Sequence, residues 1–120
     1  MNIPERLLGR VLFSLPLVIF GAFHFMAADQ MTGAVPAWVP GGVIWVYITG
    51  VAMIAAAIAM LTGKKAKLAA QLTALLMLTY ALAVQLPGAM AGNQMATASF
   101  LKDIMLCGGA LLMAHISESE

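Results

Sequence analysis

Three ionisable side chains, His24, Lys102 and Asp103, lie in or beside long apolar stretches of the sequence. Ionisable groups in an apolar medium are costly and normally line an interior or a pathway. His24 and Asp103 together would supply an imidazole and a carboxylate, which can hold and transfer protons. A plainer interpretation stays open. In it Lys102 reaches out to lipid headgroups, Asp103 favours the positive start of its helix, and His24 is hydrogen-bonded at a helix end.

Four further side chains complete a candidate small-molecule pocket with His24 and Asp103; they are Trp45, Thr49, Tyr80 and Gln85. Trp45 would form an apolar wall, whereas Tyr80 and Gln85 could hydrogen-bond either a ligand or another helix. Trp38, Tyr47 and Lys102 are predicted to be anchors at the membrane interface, where aromatic rings and long basic side chains commonly lie.

No catalytic residue and no intrinsic cofactor can be assigned from motifs. The sequence has no Gly-rich phosphate loop, no serine nucleophile motif and no metal-ligand spacing. Cys107 is the only cysteine, so no disulfide or CxxC redox pair can form within the chain, and it is interpreted as a small packing residue. His115 is predicted a helix length away from His24, so the two histidines are not expected to share a metal ion or a haem.

The composition predicts that these residues lie in a lipid bilayer. Of the 120 residues, 62% are hydrophobic and 9% charged, against about 25% charged in soluble domains. The formal net charge of +1 excludes the dense basic face that nucleic-acid binding needs.

Four apolar segments are long enough, or nearly so, to cross a bilayer, for which roughly 20 residues are needed. The predicted helices cover about residues 7–28, 42–62, 68–86 and 99–116. They predict an all-α, integral membrane, four-helix transmembrane bundle in one domain of residues 1–120. Phe25 occupies a position where a signal peptide would need a small residue, so the first segment is interpreted as a retained helix.

Basic residues predict the orientation of the four helices. Arg6 and Arg10 open the first helix, and lysines fill the 63–67 turn, whereas loops 29–41 and 87–98 contain no Lys or Arg. By the positive-inside rule both termini are expected in the cytoplasm and these two loops outside. The expected location is a cell membrane, which the chain crosses several times.

Small and polar residues at helical spacing predict which faces meet inside the bundle. The predicted inward stripes are Arg10, Ser14, Leu17, Gly21 and His24; Gly42, Trp45, Thr49, Ala52, Ala56, Ala59 and Gly63; Lys67, Ala70, Ala74, Leu78, Ala81, Gln85 and Gly88; and Asp103, Cys107, Ala110 and Ala114. Most of their polar side chains fall in the outer half of the membrane. Such clustering favours a pocket that opens outward.

Several short motifs resemble the DoxX family of small four-helix bacterial membrane proteins. They are GAFHF at the end of the first helix, a VPAWVP loop, WVYITG, a GKK turn, and FLKDIMLCGGALLM in the last helix. Members and relatives of that family are associated with membrane redox systems, including a thiosulfate:quinone oxidoreductase subunit and a complex that protects against oxidative stress. The resemblance therefore implies the bacterial inner membrane as the location, a membrane redox partner and a quinone-like ligand.

Two functions of different class follow. One is an accessory subunit of a membrane redox system, whose outward pocket binds a quinone or another small apolar molecule. The other is a non-catalytic scaffold whose Met- and Leu-rich faces hold partner proteins or further copies of the chain as a homo-oligomer. An independent enzyme is not expected, because the chain has no group that moves electrons. A small-molecule transporter is a weaker alternative, since no paired broken helices or internal repeats are evident.

Overall fold

The computed structural model describes residues 4–28, 38 and 40–117. Within these residues the chain forms four helices and no strands: α1 (Glu5–Met26), α2 (Val43–Thr62), α3 (Ala66–Met90) and α4 (Gln94–Ile116). Each helix is long and apolar enough to cross a membrane. The prediction of an all-helical chain with four such helices is therefore confirmed. Most of the predicted VPAWVP loop lies outside the described residues.

The helix boundaries follow local chemistry. Gly63 ends α2 with φ of 79°, and its N–H bonds to the Ala59 carbonyl, a left-handed cap that glycine adopts without strain. Asn93 begins α4, since its side chain accepts a hydrogen bond from the Ala96 N–H at 3.1 Å. The predicted start of this helix at residue 99 is therefore wrong by about one and a half turns.

Helix α3 does not end at residue 86 as predicted; it continues through Pro87 to Met90. The six residues Tyr80–Gln85 form a π-helix inside it. Pro87 has no N–H to give to the Ala83 carbonyl, and its ring crowds that carbonyl, so the regular α-helical pattern cannot pass this point. The wider π turn accommodates the proline, and the loop before α4 is shortened to 91–93.

Neighbouring helices in sequence pack side by side, whereas α1 and α4 touch at only a few positions. The closest approach joins α1 to α2 at Gly21 and Gly50. A Cβ atom built on Gly21 would lie 2.9 Å from the Gly50 carbonyl oxygen, and one on Gly50 would lie 3.0 Å from the Gly21 oxygen. Glycine at both positions allows the two backbones to meet, as small residues do between membrane helices.

Burial agrees with the predicted stripes of α1 and α4, agrees with that of α3 except at Leu78, and corrects that of α2. In α1 and α4 the predicted residues are buried or half-buried. In α2 the predicted stripe is wrong by one residue, because the residues buried are Val46, Gly50, Met53, Ala57 and Met60. In α3 Met77 is buried and Leu78 is exposed. Methionines, rather than a continuous row of alanines, fill the centre of the core.

Two arginines of α1 join the helix ends at the end of the bundle where α1 begins and α4 ends, called here the terminal end. Arg10 is buried and donates to the Met60 carbonyl at 2.8 Å. Arg6 donates to the Ile116 carbonyl. Both acceptors belong to the last turn of a helix, where carbonyls lack helical partners and cations are favoured. This leaves the opposite end of the bundle, called here the site end, free of arginine among the described residues.

Candidate functional site

A cavity of about 650 Å³ lies between the four helices, from mid-bundle toward the site end. It is called here the site cavity. Its walls are mainly apolar, with polar side chains placed at intervals among them. The residues that line it are Leu12, Phe13, Pro16, Leu17, Phe20, His24, Trp38, Trp45, Val46, Thr49, Met53, Thr73, Leu76, Met77, Thr79, Tyr80, Ala83, Val84, Gln85, Lys102, Asp103 and Leu106. Apolar walls with a few convergent polar groups are typical of a small-molecule site.

His24 joins α1 to α3 across the site cavity. Its Nδ1 lies 2.7 Å from the Phe20 carbonyl oxygen, and its Nε2 lies 2.8 Å from the Tyr80 hydroxyl. A carbonyl only accepts, so Nδ1 carries the proton and Nε2 of the uncharged ring accepts from the Tyr80 O–H. The pair fixes the orientation of both rings.

Hydroxyl protons elsewhere on the cavity wall are also bonded within the protein. Thr49 donates to the Trp45 carbonyl at 2.7 Å, Thr73 donates to the Ala69 carbonyl at 2.9 Å, and Thr79 donates to the Leu75 carbonyl at 2.8 Å. Each bond spans one turn of its own helix, the usual arrangement for threonine in an apolar helix. The oxygen atoms keep lone pairs that can accept further hydrogen bonds.

Asp103 is 6% exposed and lines the site cavity. It lies nine residues after the start of α4 at Gln94, or roughly 13 Å along the helix. The suggestion that Asp103 favours the positive start of its helix is therefore wrong, since that effect is confined to the first turn. Among the described residues Asp103 has no hydrogen bond or ion pair, although Tyr80 and Lys102 lie within electrostatic range.

The family model for a domain of unknown function, DUF8561, matches residues 13–107. This range covers most of the chain and nearly all of the cavity wall. The chain belongs to the DUF8561 family. No curated protein and no solved structure matches it.

Membership of DUF8561 overturns the DoxX resemblance, because the family that matches is a different one. The motifs that suggested DoxX are short runs of apolar, glycine and turn residues. Membrane helices of unrelated families share such runs, since the bilayer restricts which residues can be used. The redox partner implied by that resemblance loses its support with it.

All six residues predicted for the pocket of this DUF8561 protein line the same cavity: His24, Trp45, Thr49, Tyr80, Gln85 and Asp103. Two of the three predicted interface anchors, Trp38 and Lys102, are exposed and line its edge. The third, Tyr47, lies elsewhere and stacks on Phe25 with ring centroids 5.6 Å apart. The direct partner of His24 is Tyr80 rather than Asp103.

Sequence reasoning did not find several cavity residues of the DUF8561 chain. Phe13, Leu76 and Leu106 form apolar wall, and nothing in their type distinguishes them from lipid-facing residues. The π-helix was also missed, although Pro87 within an apolar segment could have indicated it. π-helical turns are often found at functional sites, and this one contributes Tyr80, Ala83, Val84 and Gln85 to the cavity.

The His, Cys, Asp and Glu side chains of the DUF8561 chain do not gather into a set of metal ligands in the part that the structure describes. No group of three or more His, Cys, Asp or Glu side chains there could hold a metal ion. His115 is exposed in the last turn of α4 at the terminal end, far along the bundle from His24. Cys107 is a half-buried free thiol packed against the core.

We expect His24 and Tyr80 to act as one energetic unit. His24→Phe and Tyr80→Phe each remove one partner of the hydrogen bond, so the second change should cost little after the first. The free energy of unfolding, measured in mixed detergent micelles for both single variants and the double, should show a coupling of about 1 kcal/mol. Thr79→Val, which removes an exposed hydroxyl nearby, serves as the uncoupled comparison. Additive effects of His24→Phe and Tyr80→Phe would contradict the pairing.

Proposed function

We propose that this DUF8561 protein is a multi-pass membrane protein that binds a small amphipathic molecule in the site cavity and receives it from the bilayer. The observation that carries the proposal is the site cavity itself. It combines apolar walls from all four helices with His24, Tyr80 and Asp103 at one end of the bundle.

The limited contact between α1 and α4 supports access from the lipid. These helices meet near the terminal end, where the Phe13 ring lies within 3.5 Å of a Cβ position on Gly109. Toward the site end, exposed Pro16 and Phe20 of α1 line the cavity, and so does exposed Lys102 of α4. A molecule dissolved in the hydrocarbon could pass between the two helices without crossing water.

The orientation and the location are part of the proposal. With Arg6, Arg10 and the lysine turn in the cytoplasm, the site end faces outward, and the expected membrane is the bacterial inner membrane. Alkaline phosphatase fused after Asn93 should then be active, and a cytoplasmic fluorescent reporter fused after Glu120 should be bright. The opposite pattern would reverse the orientation.

The proposal is limited to binding. The redox-subunit prediction rested on the DoxX resemblance and is not proposed again. A quinone is still one of the ligand classes to test, since its tail is apolar and its ring carbonyls form a polar head. The scaffold alternative predicts a different result in the mass spectrometry experiment that follows.

Purification from native membranes followed by native mass spectrometry tests the proposal. We expect one small molecule to be retained at up to one copy per chain, and its release on mild activation should leave the intact protein. A protein partner in fixed stoichiometry, with no small molecule retained in repeated preparations, would contradict the binding proposal and favour the scaffold.

A further inference from the structure

We propose that the site cavity selects amphipathic amines, molecules with an apolar body and a positively charged nitrogen head. This inference deepens the proposed function and rests on it. Its basis is the balance of hydrogen-bond donors and acceptors that the cavity presents to a ligand.

Most donors of the cavity wall are bonded within the protein. The protons of His24 Nδ1 and the Thr49 hydroxyl are given to backbone carbonyls, and the Tyr80 proton goes to His24. The Trp45 ring N–H donates to the Pro40 carbonyl. Apart from Trp38, Gln85 and Lys102, which carry further donors, the polar groups that the cavity presents to a ligand are therefore oxygen lone pairs.

Asp103 adds an acceptor that no group of the described residues satisfies. Its side chain is more than nine-tenths buried and lines the cavity, and within the described residues it has no hydrogen bond. A buried carboxylate without a partner is costly, and a cation within the cavity would offset that cost. A quinone or an ionised fatty acid, whose head group only accepts hydrogen bonds, would not.

Aromatic rings favour the same class of head group. Phe20, Trp45 and Tyr80 border the cavity around its polar end. The faces of such rings attract cations electrostatically, and the attraction is larger where water is excluded. The apolar residues deeper in the bundle, such as Met53 and Met77, would accommodate a hydrocarbon body.

Two side chains would work against the preference for amines, and one of them supplies a control variant. Lys102 and Gln85 carry donors and line the cavity. Lys102 is exposed, and no salt bridge joins it to Asp103 in the described part of the chain. Its long side chain can extend outward while Asp103 stays inside. Removing the Lys102 charge should therefore strengthen the binding of an amine.

The test compares ligands that differ mainly in the head group: decylamine, 1-decanol, decanoic acid and decylubiquinone. The protein is placed in nanodiscs of zwitterionic phosphatidylcholine, and empty nanodiscs correct for partition into lipid. Trp38 and Trp45 are the only tryptophans of the chain, and both line the cavity, so their fluorescence reports binding directly. We expect a Kd for decylamine at least about tenfold below that for 1-decanol, the ratio that one charge-assisted contact supplies.

Two variants assign the preference to Asp103. Asp103→Asn should reduce the preference for decylamine to about twofold or less and leave 1-decanol binding nearly unchanged. Lys102→Met should lower the Kd for decylamine by roughly threefold, as removal of a nearby like charge predicts. If the Asp103→Asn protein does not fold, the order of the four Kd values on the wild-type protein tests the amine inference, and decylamine should have the lowest Kd.

The outcomes separate the two proposals. Tighter binding of decanoic acid or decylubiquinone, equal binding of amine and alcohol, or a preference that survives Asp103→Asn would overturn the amine inference while leaving the binding site in place. Absence of saturable binding by all four ligands would overturn the amine inference. Separately, if native mass spectrometry showed no retained small molecule, the proposed function would be overturned.

Discussion

Gly50→Ala is expected to destabilise the bundle by about 3 kcal/mol, the upper part of the range for overpacked sites. The added Cβ would lie 2.8 Å from His24 Cβ, 3.0 Å from the Gly21 carbonyl oxygen and 3.1 Å from the Phe25 ring. A backbone oxygen cannot rotate away as a flexible side chain can, so α1 and α2 must separate. Equilibrium unfolding in mixed micelles, followed by circular dichroism, measures the loss.

Gly108→Ala is the matched control, because nothing lies within 4 Å of a Cβ at that exposed position. Alanine is favoured over glycine inside a helix by up to about 1 kcal/mol, so this variant should be neutral or slightly more stable. Equal stabilities for Gly50→Ala and Gly108→Ala would mean that the close contact between α1 and α2 does not exist.

Ala83→Phe is expected to abolish ligand binding with little loss of stability. Ala83 lies in the π-helical turn and lines the site cavity, so the added ring would occupy space that the protein leaves empty. We expect the Kd for the molecule retained in native mass spectrometry to rise by about a hundredfold, corresponding to roughly 2.7 kcal/mol. Filling an apolar cavity usually preserves or increases the free energy of unfolding.

Leu82→Phe provides the comparison for Ala83→Phe. Leu82 is the preceding residue of the same turn, is 50% exposed and does not line the cavity. A phenylalanine there should leave both binding and stability nearly unchanged. If Leu82→Phe weakened binding as much as Ala83→Phe, the ligand would lie on the outer surface of α3 rather than in the site cavity.

The sequence was sufficient to predict the helices and the inward faces of α1 and α4. Polar and small residues mark those faces clearly, since Arg10, Ser14 and Asp103 are buried. It was not sufficient for α2, where the rule that small residues face inward failed. Met53 and Met60 fill the core there, and flexible methionine packs inside as readily as it faces lipid.

The position of Asp103 relative to the start of its helix also required the structure. Residues 94–98 are only moderately apolar, so the sequence suggested a loop up to residue 98, whereas Asn93 caps a helix that begins at Gln94. Those added residues move Asp103 from a helix end to a helix interior. The pairing of His24 with Tyr80 also could not be predicted from spacing, because Tyr80 lies on another helix and at the start of the unpredicted π-helix.

The limited contact between α1 and α4 gives the molecule two helical hairpins, α1–α2 and α3–α4, joined along one seam. Each hairpin can form as it enters a bilayer, but neither contains the site cavity, whose wall draws on both. The cavity therefore exists only after the hairpins dock. A ligand that bridges them would stabilise the docked state in proportion to its concentration, so in cells the amount of assembled protein would follow the supply of its ligand.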